Sequence, residues 1–399
     1  MAKKKRVLFF AEAVTLAHVA RPFVLAEALD PEYYDVIVAA DPRYAALFAD
    51  SNITTHKIWS IPTSQFLLSL AEGKPVYDLP TLSRYVEEDL EVIEQLSPDL
   101  IVGDFRLSLL VSAAKAGIPY VSLINAYWSP YVDVRYTVPD LPLVHLLGAT
   151  AGQLLFDAVR PIAFALHAVP INRLRRRFGL GRLPWDLRHV YTSADYTLYA
   201  DLPDLFRMRD LPENHAFIGP INWSPTVELP AWWERLPEDE PIVYLTLGSS
   251  GATSGVPAIL AGLARLGCQV IVGTAGRVSI DVETDKLHTA DYIPGDLAAE
   301  RADLVVCNGG SPSSYQALAA GKPVLGIPSN LDQYLNMQGV VNAGAGQLLR
   351  SDAVDEKSVL AAVDRLLHEE SCRKSSELLG HEIEKWDAPS HFRKFVAGM

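Results

Sequence analysis

Short apolar runs alternate with helical patterns along the first half of the chain. RVLFFA, YDVIVAA, DLIVGD and IPYVSLI have strand length and are rich in β-branched or aromatic residues, while HVARPFVLAEAL and LSLLVSAAKAG between them repeat apolar positions at helical spacing. Short strands separated by helices predict a parallel sheet with helices on its faces. The rhythm restarts after Pro241 with PIVYLTLGS, VPAILAGLARLG, CQVIVGTAG, ADLVVCNGG, SPSSYQALAAG and KPVLGIPS.

Between the two halves the texture changes. INWSPTVELPAWWERLPEDEP mixes prolines, tryptophans and acidic residues and reads as an interdomain connection with a surface tryptophan patch. A chain of 399 residues also exceeds one ordinary core and favours two domains of roughly 200 residues each. The expected division is residues 1–222, a linker over 223–240, a second domain over 241–380 and a terminal helix over 381–399 that crosses back to the first domain. Two doubly wound α/β domains of this kind are expected to face a central cleft, with ligands beyond the carboxyl ends of the strands.

Charge and composition narrow the partners. A formal charge of −13 and a pI near 5.2 argue against a nucleic-acid backbone, which needs clustered Lys and Arg. The basic run Arg173 to Arg177 reads either as a phosphate or membrane-surface contact or, with more weight, as a solvated helix face. Cys268, Cys307 and Cys372 lie far apart and suggest neither a disulfide framework nor a zinc site, which fits a cytoplasmic location. The basic N-terminus leads into an apolar stretch broken by Glu12, so a first strand is expected there instead of a signal peptide. The apolar stretch from Leu141 to Ala168 is interrupted by His145, Gln153, Asp157 and Arg160, so no integral membrane span is expected.

In the second half, LVVCNGGSPSSYQAL gives a strand, a glycine turn and a helix start in that order. Gly309 and Gly310 let the backbone approach a ligand, Ser311, Ser313 and Ser314 are potential helix caps, and first-turn N–H groups favour a phosphate. A second loop, LTLGSSGATSG, would bring Gly248, Ser249 and Ser250 to the same ligand. Neither loop has P-loop or G-x-G-x-x-G spacing. Further on, Asp332 and Gln333 offer a carboxylate beside an amide, suited to vicinal sugar hydroxyls or, equally, to capping a helix.

Taken together, YIPGDLAAERADLVVCNGGSPSSYQALAAGKPVLGIPSNLDQYLNMQ resembles the donor-binding signature of the UDP-glycosyltransferase superfamily, whose GT-B enzymes join activated sugars to small acceptors. The resemblance implies that Tyr292 and Ile293 lie near the base, that Gly310, Ser311 and Ser313 hold the diphosphate, and that Asp332 and Gln333 hold the sugar. It departs from the family at Asn308, where a histidine usually faces the diphosphate, and at Gln316, where a glutamate usually meets the ribose. The donor is therefore expected to be a nucleotide sugar, with UDP favoured over TDP or GDP on family frequency.

His18 follows the first strand and precedes Pro22, placed in the first turn of the next helix, a pattern similar to the superfamily's general base. Chemistry supplies its own reason: removing the acceptor hydroxyl's proton helps displacement at the anomeric carbon, and imidazole suits that task near neutral pH. Asp104, at the end of DLIVGD, is the candidate partner that fixes the imidazole tautomer. The expected reaction is a single in-line displacement with inversion. The sequence has no Asp-x-Asp motif of the kind that holds a divalent ion, so no metal or other cofactor is expected. Phe66, Tyr127, Trp128 and Tyr131 are candidates either for an apolar acceptor pocket or for the core of the first domain. A UDP-sugar epimerase of the same architecture and a non-catalytic nucleotide-sugar-binding homologue are the alternatives; the oligomeric state is not legible.

Overall fold

A computed structural model describes residues 3–248, 251–280 and 284–399. The chain forms two compact units: residues up to Asp133 with Thr150–Ile221 and Asp387–Met399, and Val134–Ala149 with Asn222–Trp386.

In the first unit the described strands are β1 (Lys5–Ala11), β2 (Tyr34–Ala40), β3 (Thr54–Lys57), β4 (Leu100–Asp104), β5 (Tyr120–Ile124), β6 (Tyr196–Tyr199) and β7 (His215–Phe217). They form one sheet in the order β3-β2-β1-β4-β5-β6-β7, parallel throughout. The unbroken apolar run of β1 follows from its place in the sheet. Leu8 and Phe10 enter the core on one face, and Val7, Phe9 and Ala11 enter the core on the other. The second unit repeats the plan with β8 (Ile242–Thr246), β9 (Gln269–Gly273), β10 (Leu287–Ala290), β11 (Leu304–Cys307), β12 (Val324–Gly326) and β13 (Gly346–Leu348). Their order is β10-β9-β8-β11-β12-β13, again parallel.

The stretch after Ile221 belongs to the second unit and packs on it. Trp232 donates its indole N–H to the Thr289 carbonyl at 3.3 Å and tilts against His288 with ring centres 5.2 Å apart. Its three tryptophans are only partly exposed, so the expected surface patch is instead a half-buried packing strip. The helix Glu370–Lys385 lies in the second unit, and the chain joins the first at Asp387. There the helix Ala388–Ala397, capped by the Asp387 side chain, sets Phe392 against Phe9 at 5.7 Å and Phe395 against Tyr196 at 5.4 Å.

The apolar stretch near the middle is longer in the structure than its interruptions suggest. Val144–Arg177 is a 34-residue run long and apolar enough, by length and composition, to cross a membrane, yet only 17% of its most apolar window is buried in the protein.

Candidate functional site

β1 and β4 are neighbours from which the strand order runs in opposite directions, so the loops that leave their carboxyl ends diverge and open a crevice. Ala11 is in register with Asp104, which brings the two exits side by side. Asp104 is the last residue of β4 and fully buried, and its Oδ1 lies 2.7 Å from His18 Nδ1. The helix expected to begin after His18 starts earlier, at Ala17, so His18 is its second residue and Pro22 lies inside it, past the first turn. Pro22 has no N–H for the carbonyl of His18, the residue four before it, and the helix tolerates the loss in this terminal stretch.

The structure adds a third member to this pair. Arg21, one helical turn beyond His18, donates from Nε to Asp104 Oδ2 at 2.8 Å and from Nη2 to Oδ1 at 2.7 Å. Its Nη1 donates to Asn125 Oδ1 at 2.8 Å, and the Asn125 amide donates on to Asp201 at 3.1 Å. Burial works against the charge of Arg21, but the Asp104 carboxylate outweighs it and holds the guanidinium pKa above its ordinary value. Arg21 Nη2 also lies 3.2 Å from His18 Nδ1. A guanidinium only donates, and the carboxylate oxygen is the nearer atom, so the network assigns the proton to Nδ1, donating to Asp104. Nε2 then keeps its lone pair.

Phe105, the residue after Asp104, has φ of 60°, unusual for a side chain of its size. This turn lays its ring on the His18 ring, with centroids 4.8 Å apart and planes 14° from parallel. The next residue, Arg106, is fully buried and gathers Glu12 at 3.1 Å, Asp89 at 3.0 Å, Glu88 at 2.8 Å and the Trp59 carbonyl at 2.7 Å. Glu12, which breaks the first apolar run, is thus an anchor for the loops beside the pair. Burial pushes its carboxyl up from the usual range, opposed by Arg106.

The second unit has its own switch point between β8 and β11, with Thr246 in register with Cys307. After β11, Asn308 is buried and accepts the Gly310 N–H at 3.0 Å. Gly309 has φ of 76°, and a Cβ there would come within 2.6 Å of Met337 Cγ. Gly310 is the N-cap of the helix Ser311–Ala319, which has no side-chain cap. Ser314, expected as a potential cap, instead donates to the Gly310 carbonyl at 3.0 Å and accepts from the Asn336 amide at 3.1 Å. A helix that starts on a glycine turn without a side-chain cap suits an anion. Ser313 lies in the same first turn and Ser311 begins it.

On the neighbouring loop Gly248 has φ of 54°, and Arg277 donates to the carbonyls of Gly248 at 3.2 Å and Gly251 at 2.9 Å. The candidates Ser249 and Ser250 lie outside the described residues. Gln333 and Asn330 form a capping box at the start of the helix Leu331–Asn342, so the capping alternative is realised for Gln333. Its Nε2, however, is buried without a hydrogen-bond partner. Asp332 stands in the same first turn. Ile293 is buried and Tyr292 is 38% exposed. Gln316 donates its amide to the Trp223 carbonyl at 2.7 Å and to Ser224 Oγ at 3.1 Å.

Residues 257–394 match the family model described as "Erythromycin biosynthesis protein CIII-like, C-terminal domain". A PGL/p-HBAD biosynthesis glycosyltransferase of Mycobacterium tuberculosis strain H37Ra is 46% identical over 379 residues, 95% of this chain and 89% of its own length. The chain belongs to the glycosyltransferases of GT-B fold, family 1. A PGL/p-HBAD biosynthesis rhamnosyltransferase of Mycobacterium bovis BCG is 47% identical over 378 residues, 95% of this glycosyltransferase and 84% of its own length. Among solved structures, spinosyn rhamnosyltransferase SpnG complexed with thymidine diphosphate matches the fold at a TM-score of 0.70. It is 18% identical, over 98% of this chain and 100% of that one.

Of the residues expected either in an acceptor pocket or in the core, Phe66, Tyr127 and Trp128 are buried, Phe66 within the first unit's core, and Tyr131 is 36% exposed. Phe66 packs edge-on against Phe105 with centroids 5.9 Å apart, and Trp128 against Tyr191 at 5.1 Å. A small apolar cavity of the first unit, with room for little more than a water molecule, has a different lining, which includes Val76, Tyr77, Leu107, Ile171, Val190 and Tyr191. Tyr77 Oη is buried there without a hydrogen-bond partner, and burial raises its phenol well above the usual range. Phe105 touches this lining through Tyr77 at 6.1 Å and Tyr191 at 5.7 Å, and so joins it to His18. Sequence reasoning missed Arg21, Phe105 and Tyr77. The Arg-Pro step after His18 was visible, but nothing in the chain order pairs residue 21 with residue 104.

Proposed function

We propose that this glycosyltransferase works by inversion, moving a hexose from a pyrimidine nucleoside diphosphate onto a hydroxyl of a small apolar or aromatic acceptor, without a metal. The observation that carries the reading is the 2.7 Å contact between His18 Nδ1 and Asp104 Oδ1. With Nδ1 protonated toward Asp104, Nε2 takes the acceptor hydroxyl's proton. The oxygen attacks the anomeric carbon from the face opposite the diphosphate, and the C–O bond to phosphate breaks with its electron pair leaving on the diphosphate. Asp104 steadies the imidazolium that forms. The uncapped helix start after Gly309 and Gly310 stabilises the departing charge. Asp332 and the unpartnered Nε2 of Gln333 serve the sugar hydroxyls. An apolar or aromatic acceptor is the class that the aromatic loops carrying Phe66, Tyr127, Trp128 and Tyr131 suggest.

UDP is the donor nucleotide expected on family frequency. A second reading, TDP, is favoured by Gln316. A neutral acceptor, with its amide already tied to Trp223 and Ser224, suits a deoxyribose with one hydroxyl fewer. The thymidine diphosphate in the SpnG complex supports the same choice. Calorimetric titration with UDP and TDP decides between them, and tighter UDP binding would reject the second reading. The catalytic reading is tested by nucleotide release from a panel of donors and acceptors, with His18→Ala beside the wild type. A variant as fast as the wild type would remove His18 from the chemistry. Turnover lost to a chelator and restored by divalent ions would refute metal independence.

A further inference from the structure

The helix that enters the first unit at Thr150 is turned inside out. Leu154, Leu155, Val159, Ile162 and Leu166 recur at steps of one, four, three and four residues, so they share one face. That face is in solvent: Leu154 is 72% exposed, Ile162 63% and Leu166 58%. The opposite side holds the buried Phe164, with Arg160 over its ring, while Gln153 donates to Asp157 at 3.0 Å. A helix stabilised only by its own unit would bury the leucines and expose the charges.

The helix ends at His167, and a second one, Val169–Arg177, follows directly after Ala168. Its solvent side holds Arg173, Arg176 and Arg177, all three exposed. Residues 150–185 hold six arginines and one aspartate, within a chain whose net charge is −13. Trp185, 51% exposed, follows in the same segment. An apolar stripe that runs into a local basic cluster on an acidic protein complements one kind of surface. The leucines suit the acyl boundary and the arginines suit anionic headgroups. The helix lies on that surface and does not span it. Ala168, Ile171 and Leu174 of the same run are buried in the first unit's core, and Asp157 and Arg160 interrupt the apolar window.

We propose that the face Leu154–Leu166 with Arg173, Arg176 and Arg177 docks the enzyme peripherally on an anionic lipid bilayer. Docked there, the first unit would draw an apolar acceptor from the membrane. That last clause rests on the acceptor reading above, whereas the docking itself does not.

The test is vesicle co-sedimentation of the full chain without substrate, using phosphatidylcholine alone or mixed with phosphatidylglycerol. The wild type is expected to pellet with the anionic vesicles and to be released by salt. Arg173→Gln/Arg176→Gln/Arg177→Gln should weaken binding about 100-fold, and Leu154→Ser/Ile162→Ser should abolish it. Both variants keep the wild-type melting temperature and full turnover of a water-soluble acceptor, because the altered residues are exposed and outside the site. Equal binding to neutral vesicles, or no binding, overturns the proposal. So does a wild-type dimer in light scattering that Leu154→Ser/Ile162→Ser converts to monomer, since the face would then belong to a second copy. Loss of vesicle binding with turnover intact separates docking from catalysis, and loss of turnover with binding intact would strike only the catalytic reading.

Discussion

Arg21 grips both oxygens of Asp104, at 2.8 Å and 2.7 Å, and one of them is the oxygen that meets His18 Nδ1. The fork fixes both carboxylate oxygens and, through them, the orientation of the imidazole. Replacing Arg21 by Gln should lower kcat with the KM values little changed, because the carboxylate is then free to turn away from His18. Arg21→Lys should lower it less, because the charge stays while the fork geometry is lost. Steady-state kinetics beside the melting temperature of each variant checks this, and an unchanged kcat would confine Arg21 to a structural role.

Asp104→Asn keeps the shape of the partner and removes its charge. Turnover is expected to fall about 10²- to 10⁴-fold, as for loss of a general base system, with the KM for the donor little changed because the proposed donor loops belong to the second unit and Asp104 to the first. Steady-state kinetics with varied donor separates the two constants.

Gly309 combines a φ of 76° with a neighbour that would meet a Cβ at 2.6 Å. Gly309→Ala should cost about 1–3 kcal/mol of stability and weaken nucleotide diphosphate binding together. Chemical denaturation and calorimetric titration of the same preparation test both halves.

Burial pushes the Cys307 thiol, at the foot of that turn, up to about 11 from an ordinary 9.0. Below pH 9 both folded and unfolded chains hold this proton. Between 9 and 11 only the folded chain does, so the unfolded state gains by ionising and stability falls as pH rises. The loss attributable to this thiol is about 3 kcal/mol at 1.36 kcal/mol per pH unit. It should appear as a steeper alkaline decline in the wild type than in Cys307→Ala, measured by urea unfolding across that range.

Arg106 holds three carboxylates in a buried cluster, and Arg106→Met would leave Glu12 and Asp89 uncompensated. A loss of about 3–5 kcal/mol is expected from breaking such a cluster on one side, read as a lowered melting temperature.

The central strands of both sheets were legible because they are apolar without interruption, as β1, β4, β8 and β11 show. The edge strands were not. β3 reads TTHK and is largely exposed, and β10 reads LHTA and is only half-buried, so neither carries an apolar signal. His18 and Asp104 could be paired from the sequence because one follows the first strand and the other ends a later one. Arg21 could not, since a buried arginine in a helix looks like any surface arginine until its partner is placed. The pocket lining was missed for a related reason. Tyr77 and Tyr191 are far apart in the chain, and both pack against the ring of Phe105.

That ring has an evolutionary corollary. Because Phe105 both backs the His18 imidazole and packs against Tyr77 and Tyr191, a substitution that displaces this ring displaces the imidazole with it. On the proposed role of His18, drift along this lineage should therefore leave position 105 alone and proceed through Tyr77 or Tyr191 on its far side.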